Sequence, residues 1–597
     1  MTLKTHLGAS RRRPVLGLAS AAVLATVGLA LPGPVQAAAA LPTAASASDC
    51  PTAYPAQVSS GQAVTTQTVT TGTTPTEFAG TVTGVVKNGI APDVDMILID
   101  FGTADGNSTI DTAGIWEGMS GSPVYDKATG QIIGAVSYTL SYGPTTVAGV
   151  TPYAAMKDLA PGALPTTVHI KNQSLSKKVA RAAGVKSTED ARTFRLLPTP
   201  VNLNGPSADR LRQVHKAKKP YLKQATTTTR AGVAKPADAP GPETMVAGGN
   251  IAAALVYGDV VEAGIGTITS ACHGGFVAFG HPMASTGKTT MAAMSADAVA
   301  IIADSTGGSF KQANIGKVTG TVTEDRTPGI AGSLGAGPRT MKATATSSYG
   351  SKSRTGASYS ASPDYAADAA FGEAVTNNDA VLNASYVKGG ALATYAVRGT
   401  DHGKAFSLGF TNRYADPGDI SSAAGYPIGD LVYALSQADG VTLTSVSTKT
   451  AFNDVYRTRK LGTIEQKKGT KWIKVTGSSP ITVKAGGKAV LRFTLTGGGT
   501  ANVTQRVTIS IPKRMKHTSG YLDVTGGGDT YADLSDVTSV AQARKVLAES
   551  VRSDALGLDL SVRGHGQKLA KRIVLSPGSR VVGGAKQIPF VVTTVKK

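Results

Sequence analysis

Apolar and polar positions alternate with a period of two along most of this chain. The runs are short and are closed by glycine, proline, threonine or serine. That pattern predicts strands, each with one face in a core. Residues 65–70 and 78–86 read as strands. Residues 96–99 and 132–140 are nearly continuous apolar runs, as a strand covered on both faces requires. A short helix is expected over 153–159, opened by Thr151-Pro152. After a polar interval, strands recur at 254–257, 266–269, 276–279 and 317–323, the last closed by Glu324-Asp325-Arg326. Residues 340–365 are rich in Ser, Thr, Ala and Gly with few large apolar side chains, and read as a loop or linker. Residues 366–470 are mixed, with helix expected around 427–437. Evenly spaced runs at 481–483, 489–495 and 507–512, with Gly-rich turns, predict an Ig-like β-sandwich, and 535–553 has a helical pattern.

Length sharpens this picture. A chain of 597 residues exceeds a single core, so about three or four domains are expected. Charged residues make up 17% and aromatics 5%, with 70 Gly and 30 Pro, which suits a turn-rich, all-β-leaning extracellular protein. The net charge is +21, but it is spread widely. Its densest part, 210–230, interleaves only Tyr221 as an aromatic. We read it as a solvated linker and not as a nucleic-acid surface; attraction to anionic cell-wall polymers or lipid headgroups is the weaker alternative. Arg11-Arg12-Arg13, the apolar stretch 15–31 and Pro32-Gly33-Pro34-Val35-Gln36-Ala37 have the order of a secretory signal peptide. No later stretch approaches the roughly 18 apolar residues that a transmembrane span needs. Cys50 and Cys272 are the two cysteines, either one disulfide or two separate thiols; in an exported chain the bridge is expected. No spacing suggests a metal site. The run Gly497-Gly498-Gly499 lacks the Lys and Ser/Thr of a phosphate loop, so no cofactor is implied.

The candidate chemistry begins at Gly118-Met119-Ser120-Gly121-Ser122-Pro123, just before an apolar strand. A serine between glycines on a tight turn is how serine peptidases present a nucleophile. The hydroxyl needs a base to take its proton and backbone N–H groups to receive the oxyanion. The turn itself offers the N–H groups of Gly118 and Ser120. His281 is the best base: it follows an apolar strand and is fixed between Gly280 and Pro282. His215, His402, His517 and His565 lie in polar surroundings.

The strings G-M-S-G-S-P and F-G-H-P resemble those of the sporulation signalling serine peptidases, the SpoIVB family. So do F-A-G-T-V-T-G-V-V over 78–86, A-G-V-T-P over 148–152, L-V-Y-G-D over 255–259 and T-V-T-E-D-R-T-P-G-I-A-G over 321–332. The resemblance covers roughly 50–160 and 250–340. It implies a mainly β fold, a trypsin-like double β-barrel with a Ser-His-Asp arrangement, in which Ser120 is the nucleophile, His281 the base and Ser122 a turn residue. In the family the histidine half precedes the serine half. Here Ser120 comes first, which reads as a circular permutation; a triad is defined in space and tolerates it. The usual PDZ module is not evident. For the carboxylate that orients the imidazole, Asp105 and Asp325 stand equal.

The expected organisation is a signal peptide (1–37), a disordered linker (38–49), the serine half (50–203), a basic linker (204–247), the histidine half (248–340), a mixed region (341–470) and the sandwich with a C-terminal tail (471–597). The expected function is a secreted serine endopeptidase acting on a protein or peptide substrate, with self-processing at the basic linker as an additional idea. The alternatives are a peptidase-like scaffold without activity and a cell-surface binding module.

Overall fold

The computed structural model describes residues 50–102, 108–140, 144–157, 167–169, 193–197, 201–223, 225–228, 231–235, 237–306, 308–530, 532, 534 and 537–594. The expected signal peptide and the linker after it lie outside them, as does Asp105.

The fold is mainly β, as the alternation predicts. Six strands close a first ring: β1 (Ala63–Thr68), β2 (Thr76–Ala91), β3 (Val94–Asp100), β4 (Pro123–Asp126), β5 (Ile132–Thr139) and β6 (Val147–Pro152). Around the ring the order is β1-β2-β3-β6-β5-β4, and β4 returns to β1. All pairings are antiparallel, with Val64 opposite Gly80, Ile97 opposite Val150 and Thr65 opposite Tyr125. Closure removes every sheet edge and turns alternate side chains inward. Val64, Phe78, Val82, Ile99, Trp116, Met119, Val124 and Val136 fill the interior.

A second ring is built from β7 (Asn250–Gly258), β8 (Val261–Cys272), β9 (Gly275–Ala278), β10 (Gly287–Ile302), β11 (Phe310–Arg326) and β12 (Gly329–Leu334). Its order, β7-β8-β9-β12-β11-β10 with β10 back to β7, repeats that of the first. Ile251, Ile268, Phe279, Met291, Val322 and Ile330 lie in its core. Both candidate catalytic side chains occupy the same place in their rings, the connection from the third strand to the fourth. Cys50 and Cys272 are bonded, which ties the segment before β1 to the end of β8.

Two stretches expected as linkers are ordered structure. Within 204–247 stands helix α1 (Ala208–Lys216), capped by the Ser207 side chain on the Arg210 N–H. Its Leu211 and Val214 are buried with Tyr221 and Leu222 that follow it. Arg210 is wholly buried. Its guanidinium bonds Asp379 (2.6 and 2.8 Å), Asp419 (2.6 Å), Gln213 (2.8 Å) and Ser422 (2.5 Å). A charge is tolerated there because several acceptors replace its water. The density of Lys and Arg therefore concealed one apolar face. Likewise, the Ala- and Ser-rich stretch expected as a loop at 340–365 forms the hairpin β13 (Met341–Tyr349) and β14 (Lys352–Ser360). Small side chains such as Ala343 and Ala345 pack closely against helix α2 (Ala366–Leu382), itself lined by Ala366, Ala369 and Ala370.

The sheet continues from β7 through β14 and β13 to β17 (Val441–Asn453), β15 (Gly389–Asp401) and β16 (Lys404–Asp416). Helix α3 (Ile420–Ser436) packs on it beside α2. From Arg459 onward two five-stranded sheets enclose one core of Leu461, Phe493, Leu522, Leu558 and Phe590, the expected sandwich. Among the described residues no helix is long and apolar enough to cross a membrane.

Candidate active site

The turn bearing Ser120 is held open by two glycines. Gly118 and Gly121 both adopt φ +94°, the left-handed region that glycine enters without a Cβ penalty. At Gly121 a side chain is excluded twice over. A Cβ there would overlap the Thr267 carbonyl of β8 and the Phe279 amide. The two barrels thus meet backbone to backbone at the nucleophile turn.

The carbonyls of this turn are taken by the second barrel or by the turn itself. Ser120 O accepts from the Thr267 N–H (2.8 Å), Gly118 O from Thr267 Oγ1 (3.0 Å) and Gly121 O from Thr269 Oγ1 (2.8 Å). Met119 O accepts from the Ser122 N–H (3.0 Å) and Ser122 Oγ (2.6 Å). Glu117 O accepts from the Lys311 N–H (2.9 Å). In a trans peptide the C=O and N–H point opposite ways. Fixing Glu117 O and Met119 O therefore aims the N–H groups of Gly118 and Ser120 away from those partners. Among the described residues neither of these two N–H groups has a backbone acceptor, whereas those of Met119, Gly121 and Ser122 do. Backbone donors left without an acceptor beside a hydroxyl are what an oxyanion requires.

His281 approaches from the second barrel. β9 is followed by Phe279 and Gly280, both at positive φ (+71° and +68°). This conformation is costly for a phenylalanine and turns the chain sharply. The Phe279 ring is buried where Gly266 leaves room for it. The Gly280 carbonyl accepts from Thr151 Oγ1 at 2.7 Å, joining this turn to β6 of the first barrel. The imidazole then reaches Ser120: His281 Nε2 lies 2.8 Å from Ser120 Oγ across 161 residues of sequence. Nδ1 lies 2.8 Å from the Pro282 carbonyl. A carbonyl only accepts, so Nδ1 carries the proton and Nε2 presents its lone pair to the hydroxyl. Burial pushes the His281 pKa down to about 4, against smaller upward effects of the Pro282 carbonyl and of Asp325. The ring is therefore neutral near pH 7, the form a general base needs.

Asp325 is buried at the end of β11 and commits its oxygens to the loop behind the histidine. It accepts from the N–H groups of Met283 (2.8 Å), Ala284 (2.9 Å) and Thr286 (3.3 Å), and from Thr286 Oγ1 (3.2 Å). The sequence offered it, equally with Asp105, as the acceptor for the imidazole. Here it fixes the peptide segment that carries the ring, and the Pro282 carbonyl faces Nδ1. A cavity of about 530 Å³, lined in part by Ala284, Thr286, Asp325, Asp364 and Tyr365, opens beside this loop. Ser120 and His281 are themselves closed off, with 0% and 1% exposure. Cys50, Cys272 and His273 cluster, but the two sulfurs are bonded to each other and leave no thiolate pair for a metal.

Sequence reasoning missed Lys311, whose side chain lies against Gly118. Its signal was available: in Phe310-Lys311-Gln312-Ala313-Asn314-Ile315 the period of two puts Lys311 on the buried face with Ala313 and Ile315.

Residues 32–154 match the family described as SpoIVB peptidase S55. The match spans the first barrel, includes Ser120 and ends before His281. It bears out the family resemblance over that stretch and gives the chain a peptidase-family region. No curated protein and no solved structure matches the chain.

Proposed function

Starting from the similarity to the SpoIVB-type peptidases over 32–154, we propose that this protein is a secreted serine endopeptidase with a narrow protein substrate set, working through an acyl-enzyme on Ser120. The single observation that carries the proposal is the 2.8 Å approach of His281 Nε2 to Ser120 Oγ. Ser120 Oγ attacks the substrate carbonyl carbon while Nε2 takes its proton, and the carbonyl oxygen becomes an oxyanion facing the Gly118 and Ser120 N–H groups. The C–N bond breaks as the imidazolium returns the proton to the leaving amine. Water, deprotonated by the same nitrogen, then releases the acyl group. Asp325 supports the base by holding the 283–286 loop. Asp105, outside the described residues, is not needed for this sequence of steps. The serine half stands before the histidine half, the permuted order, and the matching ring topologies make either order geometrically equivalent. The leader-like start of the sequence and the disulfide support export.

The closed dyad supports selectivity: a substrate must displace whatever shields the hydroxyl before it can react. The same closure favours a second reading, a peptidase-like scaffold without turnover. An alkyl fluorophosphonate separates the two. The enzyme reading expects stoichiometric labelling of the folded protein, with the adduct mapped by mass spectrometry to the peptide containing Ser120. A folded protein that stays unlabelled over hours is a scaffold.

A further inference from the structure

Lys311 is nearly fully buried, at 3% exposure, on a strand that borders the nucleophile turn. Its amine makes hydrogen bonds to two neutral side chains, Asn250 Oδ1 at 2.7 Å and Thr68 Oγ1 at 3.4 Å. Burial alone drives its pKa down to about 7. A buried amine facing neutral acceptors is costly, and a methionine would fill the same space without that cost. The surroundings of Lys311 supply a reason for the amine. Its stem lies against Gly118; a Cβ added to that glycine would stand 2.9 Å from Lys311 Cβ. Beyond the amine, hydroxyls continue in one direction. Thr68 Oγ1 is 3.3 Å from Thr267 Oγ1, and Thr267 Oγ1 donates to the Gly118 carbonyl at 3.0 Å. Because the Gly118 carbonyl only accepts, Thr267 spends its one hydroxyl proton there and receives that of Thr68, which in turn accepts from the Lys311 amine: Lys311 to Thr68, Thr68 to Thr267, Thr267 to Gly118 O. The main chain of Lys311 meanwhile holds Glu117 O. The two peptide units flanking Gly118 are thus both fastened by this one residue, directly on one side and through two threonines on the other.

We propose that Lys311 is a positioning residue for acyl transfer, fixing the Gly118–Met119 peptide unit, which lies between the Gly118 and Ser120 N–H groups of the oxyanion site, through the Thr68–Thr267 hydroxyl relay. The inference rests on Ser120 being the nucleophile. It adds an electrostatic element to the turn that no motif in the sequence contains. A lysine that served only to fill the barrel junction would contribute to stability and leave the reactivity of Ser120 untouched.

The test separates these roles by measuring inactivation by an alkyl fluorophosphonate, with the maximal rate and the half-saturating concentration determined separately, alongside the melting temperature. Lys311→Met keeps the main-chain bond and the volume. It is expected to lower the maximal inactivation rate about tenfold or more, with unchanged half-saturation and a melting temperature equal to or above that of the wild type. Thr267→Val breaks the relay at its last link and should reproduce the rate loss, whereas Thr267→Ser, which keeps the hydroxyl, should recover most of it. The proposal is overturned if Lys311→Met and Thr267→Val react at the wild-type rate. It is equally overturned if Lys311→Met lowers the melting temperature while its folded fraction reacts normally. A wild type that is never labelled removes the parent reading along with this one, so the two failures are distinguishable.

Discussion

Replacing His281 by alanine is expected to slow acylation of Ser120 by about 10⁴- to 10⁶-fold, and Ser120→Ala to abolish it. The double variant should be no worse than Ser120→Ala alone, because hydroxyl and imidazole act as one unit. The measurement is the rate of fluorophosphonate incorporation by intact mass, on protein whose melting profile matches the wild type. Comparable labelling of His281→Ala would mean that the 2.8 Å contact is packing and not catalysis. The pH dependence adds a check. Burial holds the imidazole near 4 against an ordinary value of 6.5, so labelling should be flat from about pH 6 upward and fall tenfold per unit well below pH 4. Stability runs in the same direction. Between 4 and 6.5 the unfolded chain binds a proton at this residue that the folded one does not, so stability rises with pH across that window. The contribution is fully present above 6.5 and is lost as pH falls through 4. His281→Gln removes that part of the slope.

The second large effect is expected at Gly121. An alanine there meets the left-handed penalty of φ +94° and overlaps backbone atoms of both Thr267 and Phe279. Neither neighbour can rotate away, since β8 and the histidine turn are both anchored. A loss of about 2–5 kcal/mol follows from the sum of the conformational and overpacking terms, together with loss of labelling as the barrels separate at the dyad. Gly130→Ala is the control. Its φ of +71° carries the same conformational penalty, but no atom lies within 4 Å of its Cβ position, so about 1 kcal/mol is expected. Equal melting temperatures for the two variants, measured by calorimetry, would show that the close approach at Gly121 does not govern the junction.

The parts of this molecule that were readable without coordinates are those whose physics is local. Strand alternation depends on the nearest neighbours, and it located most of both barrels. The serine turn and the Gly280-His281-Pro282 turn are written in consecutive residues, because positive φ favours glycine and proline fixes the φ of the residue it occupies. The Cys50–Cys272 pairing followed from parity and compartment alone. Long-range relations were less legible. Ring closure depends on β4 returning to β1, and no single strand encodes it. Asp325 sits at the right distance in sequence, but its four bonds to residues 283–286 could not be read, since the amides they satisfy belong to a loop of ordinary composition. Arg210 and Lys311 were obscured for a shared reason. Charged side chains are normally solvent-facing, and only their partners, Asp379 and Asp419 in one case and Asn250 and Thr68 in the other, make burial tolerable. The Ala-rich hairpin 341–360 was misjudged because thin side chains signal close packing as well as they signal disorder.

The bond from Cys50 to Cys272 spans a sequence separation of 222 and joins the segment before the first ring to a strand of the second. A nick anywhere in the connection from the first ring to the second would therefore leave two fragments still covalently attached. They would migrate as one species on a gel until a reductant released them. Continuity of the main chain and pairing of serine with histidine are in this way independent, and a cleaved two-chain form retains the means to keep its halves together.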